Sequence, residues 1–228
     1  DELMHAGLLC PLNREEGAGL LLRLQAIQPA PRSYAPSEAC FVRLGRRDPD
    51  EQTCELWWTG SGIRTVAACT GMTVEAEGPS GDQAGWLAIL LDDAPVARFP
   101  LLPGIHTYPV ISGLDPAVPH EISIQRDSQI TGGDNDPIRL LAVRTDGELS
   151  TPRPRERLIE FLGDSLTVGE GTLGAEDGME WRSVYISGSP AFPQLVSEAL
   201  HADKRLIALG GWGFWRSFDG DPEHRIGA

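Results

Sequence analysis

Ser165 stands in the segment Gly163-Asp164-Ser165-Leu166-Thr167, directly after the mostly apolar run Leu158-Ile159-Glu160-Phe161-Leu162. A serine at the carboxyl end of a parallel strand, in a tight turn beside a glycine, presents its hydroxyl and can act as a nucleophile. If a helix begins just after it, free backbone N–H groups lie close by and can stabilise an oxyanion. Acyl transfer is the chemistry this arrangement predicts. The lipase-type pattern Gly-x-Ser-x-Gly does not fit, because position 167 is Thr. The plain alternative is a strand-to-helix turn capped by a serine.

Positioning such a serine takes a parallel sheet. In open α/β folds, sites form outside the carboxyl ends of the strands. Residues 157–228 have that pattern. Arg157–Leu162 reads as a strand, and Pro193–Ala202 carries Leu195, Val196, Ala199 and Leu200 at helical spacing. Arg205–Leu209 reads as a second strand, ending in the loop Gly210-Gly211-Trp212-Gly213. Strand, loop, helix, strand, loop is the opening of a parallel α/β sheet.

The segment from Leu158 through Gly163-Asp164-Ser165-Leu166-Thr167-Val168-Gly169-Glu170-Gly171 resembles the first block of the GDSL/SGNH hydrolases. The stretch Ala208-Leu209-Gly210-Gly211-Trp212-Gly213-Phe214-Trp215-Arg216-Ser217 resembles their second block, with Gly210 where the family often has Ser. The resemblance implies a serine esterase with Ser165 as nucleophile. The oxyanion hole would use the N–H groups of Ser165 and Gly211, with Gly213 as the alternate to Gly211. Glycine suits that place because a substrate oxygen must approach the backbone closely. Gly163 and Asp164 would hold the nucleophile turn, and Trp212 could stack on a sugar ring or simply pack. No metal and no organic cofactor is expected.

Residues 1–150 read as short strands. Candidates are Gly19–Ala26, Cys54–Thr59, Ile63–Cys69, Met72–Glu77, Gly85–Leu91, Val96–Leu101, His106–Ile111, His120–Arg126 and Ile138–Arg144. Thr73-Val74-Glu75-Ala76-Glu77 and Glu121-Ile122-Ser123-Ile124-Gln125 alternate with the period of a half-buried strand. Turn residues separate the runs, as at Ser61-Gly62, Asp92-Asp93-Ala94-Pro95 and Asp146-Gly147. The stretches Ala30–Ser37 and Gly132–Asp136 read as loops. The expected fold is therefore multi-domain, β plus α/β. An N-terminal antiparallel β-sandwich or jelly roll spans residues 1–150, and a proline-bearing linker spans 151–156. The N-terminal part of an SGNH-type three-layer α/β domain spans 157–228. A sandwich placed before an SGNH domain resembles carbohydrate esterase family 2, which implies removal of acetyl groups from polysaccharides.

Two further family blocks have no match here: a Gly-x-Asn-Asp-like segment giving an oxyanion Asn, and an Asp-x-x-His segment giving the base. Asp221-Pro222-Glu223-His224 spells the latter, but it follows the second block directly. His224 is therefore set aside as the catalytic base, as is His201. One helix and two strands cannot cover both faces of a parallel sheet. The expectation is a C-terminally truncated SGNH domain, nearly inactive by itself.

Composition narrows the partners. The 228 residues carry a net charge of −14. That argues against nucleic acid and against adhesion to an anionic membrane, and leaves an acylated carbohydrate or small ester as the expected substrate. Cys10, Cys40, Cys54 and Cys69 show no Cys-x-x-Cys pair, so a zinc site is not expected, while a disulfide stays open. No run of 18 apolar residues and no signal peptide is visible, and the cytoplasm is favoured over secretion. Two rivals to a carbohydrate deacetylase remain. One is a non-catalytic carbohydrate-binding sandwich, with Trp57, Trp58 and Trp86 as its candidate aromatics. The other is a lipid or other acyl esterase of the same superfamily.

Overall fold

The computed structural model describes residues 31–45, 53–130, 137–174, 181–221 and 226. The strands run, in order, β1 (Arg32–Tyr34), β2 (Val42–Leu44), β3 (Cys54–Leu56), β4 (Gly62–Ala68), β5 (Gly71–Gly78), β6 (Trp86–Leu91) and β7 (Ala94–Pro100). They continue as β8 (Gly104–Ser112), β9 (His120–Arg126), β10 (Ile138–Thr145), β11 (Glu148–Ser150), β12 (Arg157–Gly163) and β13 (Ala202–Ala208). Two helices, α1 (Ser165–Val168) and α2 (Phe192–Ala199), and a 3₁₀ turn at Ser183–Tyr185 lie between the last two strands.

Most of the described chain is antiparallel sheet. One sheet has the order β1-β10-β5-β8 with β3 also on β10, and another β11-β4-β9-β6-β7 with β2 also on β4. Alternation explains how they meet. On β5, Met72, Val74 and Ala76 are buried while Thr73, Glu75 and Glu77 are half-exposed. These residues join Leu56, Ile138, Leu140 and Val143 of the same sheet, and Ile63, Leu87, Ile89, Ile122 and Ile124 of the other, in one apolar core. Each such side chain contributes about 1.5–3 kcal/mol by leaving water. Cys40, Cys54 and Cys69 are free thiols.

The turn residues act as expected. Asp92 and Asp93 take φ of 50° and 70° between β6 and β7, the left-handed pair of a two-residue hairpin. Some boundaries move. The pattern predicts one strand over Cys54–Thr59, but the strand ends at Leu56 because Ser61 N–H turns back to the Trp58 carbonyl at 2.9 Å. Trp57 and Trp58 thus lie in a turn. Within the stretch that reads as a loop, Arg32–Tyr34 pairs with Val143–Thr145 of β10. The candidates Gly19–Ala26 and Gly132–Asp136 lie outside the described residues, as does Cys10.

The third sheet is a parallel pair. All seven residues of β12 match β13 in register, from Arg157↔Ala202 to Gly163↔Ala208. That pairing draws Ala202 into the strand, so the helix expected over Pro193–Ala202 stops at Ala199 and His201 makes the turn with φ 51°. α2 has an inverted pattern: Pro193, Gln194 and Ser197 are buried, whereas Leu195, Val196 and the C-cap residue Leu200 are exposed. Its inner side meets the polar face of the antiparallel sheet. There Ser123 and Gln125 of β9 line the same space as Gln194, Ser197 and Lys204. Arg64 of β4 reaches Asp203 of β13 at 2.7 Å. Among the described residues, no helix is long and apolar enough to cross a membrane.

Candidate active site

Ser165 opens α1 at the carboxyl end of β12, and Gly210–Gly213 follow the carboxyl end of β13. Parallel pairing brings the two ends together, and Leu209 N–H donates to the Gly163 carbonyl at 3.4 Å. Asp164 is the N-cap of α1, its carboxylate accepting from Leu166 N–H at 3.2 Å. Such caps are worth about 1 kcal/mol. The same residue's carbonyl accepts from Thr167 and Val168 N–H at 3.1 and 3.2 Å. The short helix ends at Gly169, which takes the left-handed conformation with φ 82°.

Asp164, Ser165, Gly211, Trp212 and Gly213 line one open cleft of about 620 Å³. Gly211 has φ +79°, and a Cβ there would sit 2.8 Å from the Phe218 ring, so glycine is required. Trp212 is half-buried and its N–H donates to the Leu209 carbonyl at 3.0 Å. Arg216, Ser217, Phe218, Asp219 and Gly220 form the other wall. The second-block motif reaches Arg216 and Ser217 and misses the rest of this wall, Phe218 to Gly220. Its signal is faint: an Asp-Gly turn at Asp219-Gly220 a few residues after the Gly-rich loop. Phe218 N–H closes the wall onto the Gly211 carbonyl at 3.0 Å.

No histidine is among the residues described as lining this cleft. His201 is exposed at the end of α2, and His120 is paired with Asp92 at 2.7 Å on the antiparallel sheet. His224 lies outside the described residues. One titratable group near the nucleophile is perturbed. Burial, and the negative charge of Asp164, push the Glu170 carboxyl above the ordinary carboxylate range, against a hydrogen bond with Trp181. Among the described residues, no group of three or more His, Cys, Asp or Glu could hold a metal ion.

The antiparallel sheet also makes a series of buried polar contacts with the segment Ser183–Ser189. Asp127, after β9, accepts from Arg98 Nε at 2.5 Å, from Ser187 Oγ at 2.7 Å and from Ser189 N–H at 2.8 Å. Arg98 also lies 3.9 Å over the Trp86 ring and donates to the Ile186 carbonyl at 2.8 Å. The Trp86 indole N–H reaches Ser183 Oγ at 3.1 Å. Trp86 is thus occupied with the protein itself, and Trp57, at 38% exposure, is the more open of the two. None of these contacts could be found by motif, since each joins residues far apart in the chain.

No family model matches the chain. Solved structures and curated proteins do resemble it. An acetyl xylan esterase from the rumen bacterium Butyrivibrio proteoclasticus superposes with a TM-score of 0.80 at 28% identity, over 86% of this chain and 53% of that one. A cellulase/esterase of Acetivibrio thermocellus is 26% identical over 79% of this chain and 21% of its own length. An acetylxylan esterase/glucomannan deacetylase of Cellvibrio japonicus is 23% identical over 87% and 54%. The chain therefore spans about half, or less, of the length of these relatives.

Proposed function

We propose that this chain carries the nucleophile and one oxyanion-hole segment of an SGNH-type serine esterase that removes acetyl groups from carbohydrate. One observation carries the reading: Ser165 and the Gly211–Gly213 loop, expected from two separate sequence blocks, line the same cleft. The similarity to acetyl xylan esterases supports the substrate class.

In the proposed reaction, Ser165 Oγ attacks the ester carbonyl and loses its proton to a histidine. The N–H groups of Ser165 and Gly211, with Gly213 as alternate, hold the developing oxyanion. The alcohol leaves, and water hydrolyses the acetyl-enzyme. Trp212 offers a ring to the sugar.

The base and a third oxyanion donor, an Asn side chain, are assigned to further chain that packs on the parallel pair. Two observations support this. The cleft lacks a histidine among its described lining residues. Leu158 and Leu162 of β12, Leu195 of α2 and Leu200 at its C-cap are about half exposed, an apolar surface that suits coverage by more of a three-layer domain. On this reading residues 1–150 are the sandwich, 151–156 the link and 157–228 the first part of the hydrolase domain.

The test is acetate release from acetylated xylan and from a chromogenic acetate ester by the full-length protein. Ser165→Ala is expected to lower kcat by at least about 1000-fold with the fold intact. Undiminished hydrolysis by that variant removes Ser165 from the chemistry and the reading with it.

A further inference from the structure

Arg126, Asp127, Ser128 and Gln129 follow one another at the end of β9, and all four are at least 96% buried. Arg126 lies inside the antiparallel half. Its guanidinium donates to the Ser128 carbonyl at 2.8 Å, to the Leu56 carbonyl at 2.8 Å and to the Gln129 carbonyl at 3.1 Å. Ser128 Oγ accepts from Trp86 N–H at 3.2 Å. The backbone of Gln129 is therefore fixed by a buried cation and by the sheet beside it.

The Gln129 side chain leaves that sheet. Its Oε1 accepts from Gly210 N–H at 2.6 Å, across 81 positions of sequence. Gly210 immediately precedes the glycine proposed as oxyanion donor. Its N–H is committed to Gln129, so the Leu209–Gly210 peptide plane, one step before the Gly211 N–H, is set from the antiparallel half. The fit is close: a Cβ at Gly210 would lie 2.9 Å from Gln129 Nε2 and 2.7 Å from Glu170 Oε2. A hydrogen bond that orients an oxyanion donor affects the transition state more than substrate binding.

We infer that Gln129 is a positioning residue for the oxyanion loop, so that the antiparallel half is part of the catalytic apparatus rather than an accessory module. This rests on the esterase reading above. Gln129 does not touch substrate; it acts through Gly210.

The experiment compares wild type, Ser165→Ala, Gln129→Met and Gln129→Glu in the full-length protein, on a chromogenic acetate ester. Methionine keeps the length of the side chain and removes the acceptor. The expected result for Gln129→Met is a 10- to 100-fold fall in kcat, KM within threefold of wild type, and exchange of the Gly210 amide hydrogen at least tenfold faster. Glutamate keeps an acceptor oxygen but sets a second carboxylate beside Glu170. Its kcat, as a ratio to wild type at each pH, is expected to rise at least threefold between pH 8 and pH 6, as the two carboxylates come to share a proton. A structural role alone would not produce that pH-dependent recovery. If Ser165→Ala abolishes hydrolysis while Gln129→Met stays within twofold of wild type, the inference is overturned and the esterase reading stands. If Ser165→Ala changes nothing, both fall. Should Gln129→Met fail to fold, the pH ratio of Gln129→Glu decides, and a flat ratio overturns the inference.

Discussion

The sheet containing β4 and β9 is buried on both sides of those strands, by opposite chemistries. Toward the other antiparallel sheet it sets Ile63, Ile122 and Ile124 into an apolar core. Toward the parallel pair it sets Arg64, Ser123 and Gln125, all at least 93% buried, against Asp203, Gln194 and Lys204. The apolar side is held by a force that is non-directional and tolerant of exact geometry. The polar side depends on directed bonds, and an unmatched group there costs more than a pair gains. Among the described residues, Arg64 meets Asp203 through Nη1, while its Nε and Nη2 have no hydrogen-bond partner. An apolar layer can keep two sheets together. A layer of directed bonds can also fix where a loop lies, which is what a cleft built from Ser165 and Gly211 needs.

Breaking the apolar side is expected to give the largest effect. Ile124 is 2% exposed and packs in the shared core. Ile124→Ala should cost about 4 kcal/mol in a urea melt, within the range of large-to-small core changes. Because the loss is in the common core, every probe should report it equally. A loss below about 1 kcal/mol would show that the core collapses around the cavity and that the contrast between the two sides is overstated.

Breaking the polar side is expected to cost less and to act locally. Asp127→Ala removes the acceptor shared by Arg98, Ser187 and Ser189. Losing one partner of a buried pair costs about 3–5 kcal/mol. Arg98 keeps its bond to the Ile186 carbonyl and its place over Trp86, so about 2–3 kcal/mol is expected. Unlike the core change, it should first expose the Ser183–Ser189 segment to protease while the antiparallel core stays folded. Uniform destabilisation with no local cleavage would mean that the two sides melt as one and that directed bonds add no separate order.

The two sides also differ in how far the sequence discloses them. Alternation at Thr73–Glu77 and Glu121–Gln125 marks β5 and β9, because one face of a strand against oil and one against water leaves a period of two. The same rule cannot say that Ser123 and Gln125 are buried as well, since polar burial leaves no periodic trace. α2 shows the limit from the other direction: its apolar residues Leu195 and Val196 face outward and Gln194 and Ser197 face in. Within the cleft, Ser165 and Gly211 are legible because nucleophile turns and glycine loops are local in sequence. Gln129 is not, since its partner Gly210 lies 81 positions away. Short strands such as β1 escape too, because three residues are too few to establish a period.

The smallest effect sharpens the comparison through pH. Lys204 sits on the polar side, where its ammonium donates to Gln194 Oε1. Burial lowers its pKa from 10.5 to about 8, against the pull of Asp127, Glu198 and Asp93. Below pH 8 both folded and unfolded chains hold the proton, and the folded one bears the full cost of a desolvated charge. As pH rises from about 8 toward 10.5, the folded chain releases the proton while the unfolded chain keeps it. The unfolded state then binds more protons, so this group's contribution to stability rises across that window. The rise is on the order of 1–3 kcal/mol, since each tenfold change in proton affinity is worth about 1.4 kcal/mol. Other thiols and phenols titrate in the same range, so the quantity to read is the difference between wild type and Lys204→Met. Urea midpoints at about pH 7.5 and 9.5, on either side of the depressed value, should show wild type gaining on the variant as pH rises. A constant difference would mean that the Lys204 ammonium is solvated in the folded protein, and that the polar layer admits water where the apolar core does not.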